Sequence, residues 1–192
     1  MAALSKTREI MSVDEFLSWT PPHDGLWQLV DGEPCAMAPA NRSHGAIQGE
    51  LTRLLANHLA EGDSPCSVLV TPGVILNAKT DQNVRIPDLA VTCSRYETEE
   101  ATVSEPVLLV EILSPSNQVE TWINVWSYTT IPSVREILVL QSRSIGAHVL
   151  RRRTDGTWPD QADAVDTGDL VLESIGFRTL LGAIYRTTRL AS

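Results

Sequence analysis

The sequence predicts a mixed α/β fold, in which a β-sheet is flanked by helices. Its 192 residues suffice for one sizeable hydrophobic core and are too few for two. Apolar residues recur with a helical period in some stretches and a strand period in others. A strand, a helix and a strand follow one another over residues 107–140, which predicts a crossover with parallel pairing. We therefore expect one domain over residues 1–192, with its core at about residues 12–185.

The charge composition limits the partners that the surface can bind. The chain has 15 basic and 24 acidic residues and a formal net charge of -9, and Lys6 and Lys79 are its two lysines. Phosphate binding depends on clustered Lys and Arg, so a wide basic surface for nucleic acid is not expected. A small phosphodiester site stays open, because a divalent cation can supply positive charge locally.

The amino end and the cysteines indicate a cytoplasmic protein. Residues 1–10 lack the apolar stretch of a secretory signal, and no run reaches the roughly 20 apolar residues that a membrane span needs. Cys35, Cys66 and Cys93 are odd in number and form no CxxC pair, which argues against a zinc site or a disulfide framework. We expect three reduced thiols.

Two local motifs organise the first forty residues. Ser12 and Glu15 fit a capping box, which predicts a short helix that ends before Pro21. The Asp31-Gly32 step between two apolar runs predicts a β-hairpin, because both turn residues tolerate a positive φ.

The remaining elements follow from changes in hydrophobic period. A long helix is expected to open at Ser43 and to end just before Gly62. Beyond it we expect strands at residues 67–70, 74–77, 89–93, 107–113, 136–140, 147–152 and 170–172, and helices at 118–130 and 177–184. The acidic, turn-rich stretch 158–169 is predicted to be a surface loop, and the strands to form one mixed sheet.

Two carboxylates in or beside apolar strands are the most informative residues. Asp88 follows Pro87 and opens a strand, and Glu111 interrupts an otherwise apolar one. A carboxylate there is costly to bury unless it is paired or binds a cation. If the two strands are neighbours, Asp88 and Glu111 converge, as a Mg²⁺ or Mn²⁺ site requires. From spacing alone, pairing of the strand glutamate with an arginine is the commoner arrangement.

These motifs resemble the Uma-two family of restriction-endonuclease-like proteins, a branch of the PD-(D/E)XK nuclease superfamily. The resemblance covers about residues 12–150, and the last of its central motifs is the most specific. The matching stretches are the hairpin at 27–33, the helix from His44, Pro87–Val91, Val110–Ser116, and Tyr128 with residues 134–140.

The resemblance implies a restriction-endonuclease-like fold and a Mg²⁺-dependent (or Mn²⁺-dependent) site that hydrolyses DNA. It implies that Asp88 and Glu111 bind the metal and that the Ile112 main-chain carbonyl contributes a further oxygen. Glu120 or Asn124 would position the attacking water. It also suggests a homodimer.

Three positions depart from the family pattern. Leu113 and Asn124 stand where related nucleases carry a lysine, and Gln28 replaces a glutamate. Lys79 or Arg85 could replace the lysine, although an exposed arginine at a strand edge is the alternative for Arg85. These departures keep a second function open, namely a non-catalytic binding or regulatory protein built on the nuclease fold.

Other candidate residues each allow a structural and a functional interpretation. His44 is expected to be either a hydrogen-bonded buried histidine or a site residue, and Glu50 a solvated carboxylate. Trp122 and Trp126 favour core or subunit packing over base stacking. The Arg151–Arg153 run suggests a solvated strand end, with phosphate contact as the alternative.

Overall fold

The computed structural model describes residues 10–77, 81–95, 97–115 and 118–191. Its α-helices are α1 (Val13–Ser18), α2 (Arg42–Glu61), α3 (Gln118–Tyr128) and α4 (Leu181–Ile184). Its strands are β1 (Trp27–Val30), β2 (Glu33–Ala36), β3 (Ser67–Val70), β4 (Val74–Ile75), β5 (Val84–Arg85), β6 (Leu89–Thr92), β7 (Pro106–Leu113), β8 (Glu136–Gln141), β9 (Ala147–Arg151), β10 (Asp163–Val165), β11 (Asp169–Leu172) and β12 (Phe177–Leu180).

The central element is a six-stranded mixed sheet in the order β10-β9-β8-β7-β6-β3. The β7 and β8 strands run parallel through the α3 crossover, as predicted, and β9 pairs back antiparallel on β8. Alternate residues of β7 face opposite sides. Leu108 and Val110 pack in the cluster that contains the apolar face of α2, while Leu109 and Leu113 pack in the cluster that contains α3. Glu111 lies between Val110 and Ile112 and therefore faces the α3 side.

The expectation of a single sheet is wrong, because the strands divide into three sheets. A four-stranded antiparallel sheet in the order β2-β1-β5-β4 packs its own small core around Leu29 and Val84, and β11 pairs with β12. The two-residue strand β5 is too short to leave a periodic pattern, so it was not predicted. It is nevertheless the strand that joins the predicted hairpin to β4.

The local motifs of the amino-terminal half form as expected. Ser12 and Glu15 make both hydrogen bonds of the capping box. In the hairpin turn, Asp31 has φ 49° and Gly32 has φ 81°. The long helix begins one residue before Ser43, because Asn41 is the residue whose side chain caps its first turn.

Two elements of the carboxyl-terminal half differ from the prediction. The stretch 158–169 contains strand β10, which pairs with β9 at the edge of the sheet and buries little of its surface. The expected helix 177–184 begins instead as β12 and becomes helical at Leu181. Apolar residues at 177, 180, 181 and 184 mimic helical spacing, yet Phe177 is buried and Leu180 is exposed within one strand.

The expectation of three reduced thiols is also wrong, because Cys66 and Cys93 form a disulfide. The antiparallel pairing of β3 with β6 places Ser67 opposite Thr92. Cys66, just before β3, is therefore a cross-strand neighbour of Cys93, just after β6. This adjacency depends on strand register, which the spacing of cysteines does not reveal. Cys35 lies outside this disulfide.

Within the residues that the structure describes, no helix is both long and apolar enough to cross a membrane.

Candidate active site

Asp88 is held at the start of β6 by contacts to both of its carboxylate oxygens. His44 Nε2 lies 2.7 Å from Oδ1, and the Ile112 backbone N–H donates to Oδ2 at 2.7 Å. Gln48, one turn after His44 on α2, donates from Nε2 to the Asp88 backbone carbonyl at 2.9 Å. Because Leu89 pairs with Val110, the antiparallel register brings Asp88 to the level of the β7 glutamate.

Glu111 is the buried carboxylate of the candidate site, with 8% of its surface exposed. The Tyr128 hydroxyl donates to its Oε1 at 2.6 Å. Within the described residues no Lys, Arg or His forms an ion pair with Glu111. The arginine pairing that strand glutamates commonly adopt is therefore not the arrangement here.

One face of α3 turns its polar residues towards these strands. Glu120, Asn124 and Tyr128 are spaced four residues apart, and the Glu120 carboxylate adds to the negative potential at Glu111. Gln28 on β1 is buried and donates from Nε2 to Glu120 Oε1 at 3.0 Å, whereas its own Oε1 has no hydrogen-bond partner among the described residues. The four-stranded sheet thus contributes to the same site.

A buried arginine lies beside Asn124. Arg85 is 5% exposed, so the alternative of an exposed arginine at a strand edge is wrong. Its Nε donates to Asn124 Oδ1 at 3.0 Å, and its Nη1 donates to the Leu29 backbone carbonyl. Both acceptors are neutral, and within the described residues no carboxylate forms an ion pair with Arg85. Its charge therefore has no direct ion-pair partner there, although the carboxylates of Asp31 and Glu120 lie near enough to stabilise it.

The electrostatics follow from burial. Burial raises the pKa of Glu111 well above its ordinary value, and the neighbouring Asp88 carboxylate raises it further, while the hydrogen bond from Tyr128 opposes both. Burial also raises the pKa of Tyr128, as does the adjacent glutamate. Burial lowers the pKa of Arg85, which keeps its charge because an arginine begins far above neutrality.

The donor set fits a hard divalent cation. Two carboxylates meet on neighbouring strands, and the buried one bears a repulsion that a cation would relieve. Each carboxylate oxygen has two lone pairs, so the hydrogen bonds to Asp88 and Glu111 leave acceptor capacity. In the described part of the chain, no group of three or more His, Cys, Asp and Glu is arranged for a metal. A metal here would therefore complete its coordination with backbone oxygens or water.

Comparison with known proteins gives the family and the fold. A family model described as "Putative restriction endonuclease" matches residues 13–180. The chain belongs to the Uma2 family. Its fold is similar to the crystal structure of a "putative nuclease belonging to DUF820" from Anabaena variabilis ATCC 29413, with a TM-score of 0.71, 17% identity, and coverage of 91% of this chain and 97% of that one. No curated protein matches the chain.

The family resemblance and the geometry converge on the same residues. The structure brings Asp88, Glu111, Glu120 and Asn124 to one side of the central sheet. The contact that it shows for Ile112 is through the backbone N–H, which donates to Asp88, and not through the expected carbonyl. Lys79, the other candidate for the missing lysine, and Ser116 of the last motif lie outside the described residues.

Sequence reasoning missed part of the site's support. Gln48 was not predicted to take part, although it follows His44 by one helical turn and so shares its face. His44 is hydrogen-bonded to Asp88, a predicted metal ligand, so it is both a hydrogen-bonded histidine and a neighbour of the site.

Two charged residues expected to be solvated are not. Glu50 is buried and contacts Arg53 and Arg186. Arg151, the first residue of the arginine run, forms an ion pair with the buried Glu136 at 2.9 Å. In both cases an oppositely charged partner distant in sequence, Arg186 for Glu50 and Glu136 for Arg151, stabilises a charge that the local pattern assigns to solvent.

Proposed function

We propose that this Uma2 protein is a Mg²⁺- or Mn²⁺-dependent endonuclease that hydrolyses DNA phosphodiesters at the Asp88–Glu111 site. The single observation that carries this proposal is the meeting of these carboxylates on neighbouring strands, with Glu111 buried and without an ion-pairing cation among the described residues. If Glu111 had only a structural role, the burial of its unpaired carboxylate would lower the stability of the protein.

The residues have separate roles in this proposal. Asp88, Glu111 and the Ile112 carbonyl would hold the metal, which when bound would promote ionisation of water and neutralise charge on the scissile phosphate. His44 fixes the orientation of Asp88 from one side. Glu120 accepts a proton from the attacking water or orients it, with its carboxylate aligned by Gln28.

Arg85 supplies the positive charge that the family pattern places at positions 113 and 124. Its guanidinium is hydrogen-bonded to Asn124 itself, and its contacts are to neutral oxygens. A guanidinium near the phosphate would stabilise the negative charge that develops during hydrolysis. This arrangement supports an active enzyme despite Leu113 and Asn124.

Cleavage of supercoiled plasmid DNA tests the proposal. We expect nicking that requires Mg²⁺ or Mn²⁺ and is abolished in Asp88→Ala and in Glu111→Gln. Glu61→Gln is the matched control, since it makes the same chemical change at an exposed residue at the end of α2. Retention of metal-dependent cleavage by the Glu111→Gln protein would refute the assignment.

The second candidate is a non-catalytic binding or regulatory protein, favoured by the absence of lysine at positions 113 and 124. Calorimetry with Mn²⁺ separates the candidates. Mn²⁺ binding that requires Glu111, without cleavage of DNA, would favour the second candidate. If Mn²⁺ does not bind at all, both the metal site and the nuclease proposal fail.

A homodimer and a cytoplasmic location are further proposals. Trp122 is half-buried against the core and its ring contacts His148 edge-on, which agrees with the core-packing interpretation of this residue. The exposed apolar residues of α3 are Val119, Ile123 and Trp126, and these would form the dimer contact. Light scattering tests the oligomeric state. Cell fractionation tests the location, and the Cys66–Cys93 disulfide argues against the cytoplasm, because a reducing compartment keeps thiols unpaired.

A further inference from the structure

Away from the proposed active site, a polar cavity lies at the end of the six-stranded sheet where β7 and β8 begin. It has a volume of about 580 Å³, and Arg135, Arg152 and Arg153 line it, with Glu105 as the acidic member of the described lining. A smaller cavity of about 350 Å³ is lined by the same three arginines together with Arg151, Glu136 and Glu173. We call the larger of the two the arginine cavity. It concentrates positive charge in a chain whose net charge is -9.

Neighbouring arginines of one run have different partners. Arg151 forms ion pairs with Glu136 at 2.9 Å and with Asp163 at 3.4 Å, so its charge is compensated. Arg152 and Arg153 contact neutral oxygens, and in the described part of the chain neither forms an ion pair. Neither charge is taken up by a direct ion pair among the described residues, although the nearby Asp155 carboxylate interacts with that of Arg153, so an external anion can contact both.

Arg152 is oriented before any ligand arrives. Its Nη1 donates to the Pro132 backbone carbonyl, and its guanidinium carbon lies 5.5 Å from the centre of the Trp158 ring. Its Nε is buried and has no hydrogen-bond partner among the described residues. Because this Nε is buried, a ligand would contact the outer nitrogens of the guanidinium group, of which Nη2 also donates to the Thr129 backbone carbonyl at 3.5 Å.

The other two guanidinium groups are accessible to a ligand. Arg135 is exposed, and its side chain forms no hydrogen bond or ion pair with a described residue. The side chain of Arg153 is anchored by Thr157 Oγ1 at 3.3 Å and by the Trp158 carbonyl at 3.2 Å. The backbone N–H of Arg152 donates to the Arg135 carbonyl at 2.8 Å, which fixes the spacing of the two strand ends.

We propose that the arginine cavity binds the phosphate group of a small phosphorylated molecule. The planar guanidinium forms paired hydrogen bonds with phosphate oxygens and keeps its charge at all accessible pH values. The volume falls within the roughly 300–1,000 Å³ that small-molecule sites occupy. Val107, which lines the cavity, precedes Glu111 by four residues of β7, or about 13 Å of strand, so this site is separate from the proposed active site.

A small ligand fits the cavity better than a DNA backbone does. Duplex binding depends on several phosphate contacts spread over a basic surface, and the acidic composition provides no such surface. Three arginines around one concave space instead match one phosphate group. This inference does not depend on the proposed nuclease function.

Isothermal titration calorimetry with inorganic phosphate, adenosine 5′-monophosphate and a duplex DNA oligonucleotide tests the proposal. We expect saturable 1:1 binding of the first two ligands that weakens as salt is added. Binding should weaken at least tenfold in Arg135→Gln and in Arg135→Gln/Arg153→Gln. Arg143→Gln is the matched control, because Arg143 is exposed in the turn after β8, at the opposite end of that strand.

The Arg135→Gln variant is not expected to disturb folding, because the exposed side chain that it changes forms no hydrogen bond or ion pair with a described residue. Its melting temperature should equal that of the unmodified protein. Three results would overturn the proposal: no binding of either small ligand, equal binding by the Arg135→Gln and unmodified proteins, or binding of the duplex alone.

Discussion

Replacement of Glu50 by glutamine tests how the long helix α2 is joined to the carboxyl-terminal segment. The Glu50 side chain is 5% exposed and its Oε1 lies 2.5 Å from Arg186 Nε and 2.5 Å from Arg53 Nη2. The hydrogen bond from Arg186, followed by that from Arg53, lowers the pKa of Glu50 from 4.5 to about 2. Because α2 also carries His44, this ion pair contributes to the stability of the helix that orients Asp88.

The size of the effect follows from that pKa. At about 1.36 kcal/mol per pKa unit, a pKa lowered from 4.5 to about 2 corresponds to an upper limit of about 3.4 kcal/mol. The Arg53 and Arg186 side chains are 46% and 57% exposed, so solvent screens both charges. We therefore expect Glu50→Gln to lower the free energy of unfolding by about 1–2 kcal/mol near neutral pH.

The lowered pKa of Glu50 also predicts how the difference in unfolding free energy changes with pH. A carboxyl whose pKa is lower in the folded state stabilises the protein above its unfolded pKa of about 4.5, and this contribution disappears as the pH falls towards about 2. Urea unfolding of the unmodified protein and of Glu50→Gln between about pH 7 and pH 3 should therefore give converging free energies. Glu61→Gln, at the exposed end of the same helix, is the control. A difference that stays constant or grows as the pH falls would refute the reasoning.

Three further predictions concern the candidate site and the disulfide. Tyr128→Phe removes the hydroxyl that donates to the buried Glu111, and should lower the free energy of unfolding by about 1–3 kcal/mol in urea titrations; an unchanged value would contradict the assigned bond. Arg85→Gln should reduce DNA cleavage at least a hundredfold while Mn²⁺ affinity changes little, and Arg85→Lys should restore part of the rate; equal losses of metal binding and cleavage would point to a structural role. The denatured, unreduced protein should react with one equivalent of thiol reagent, because Cys66 and Cys93 are joined; three equivalents would show that the pair is reduced.

The elements that sequence predicted correctly are those whose cause is local. The capping box of Ser12 and Glu15 and the positive φ of Asp31 and Gly32 depend on residues within one turn. The parallel β7–β8 pair follows from a single strand, helix and strand order. The division into three sheets could not be predicted in this way, because it depends on the two-residue strand β5 pairing with β1 some fifty residues earlier.

The candidate site was predictable where an unusual residue stood out from its local pattern. Glu111 interrupts an apolar strand, and Asp88 follows a proline at the start of another, so both were identifiable from their neighbours. The burial of Arg85 was not identifiable, because its acceptors, Leu29 and Asn124, come from β1 and α3. Only the tertiary arrangement brings these segments together.

The arginines show why a charge count understates what the chain can bind. Arg151 and Arg152 are adjacent in sequence, yet alternate residues of an extended chain point to opposite sides, so only the first meets a buried carboxylate, that of Glu136. Arg85 is likewise surrounded by neutral acceptors in a protein with a net charge of -9. The excess of acidic residues therefore does not neutralise these guanidinium groups, because electrostatic compensation depends on distance and burial. Both the proposed active site and the arginine cavity keep positive charge that the overall composition conceals.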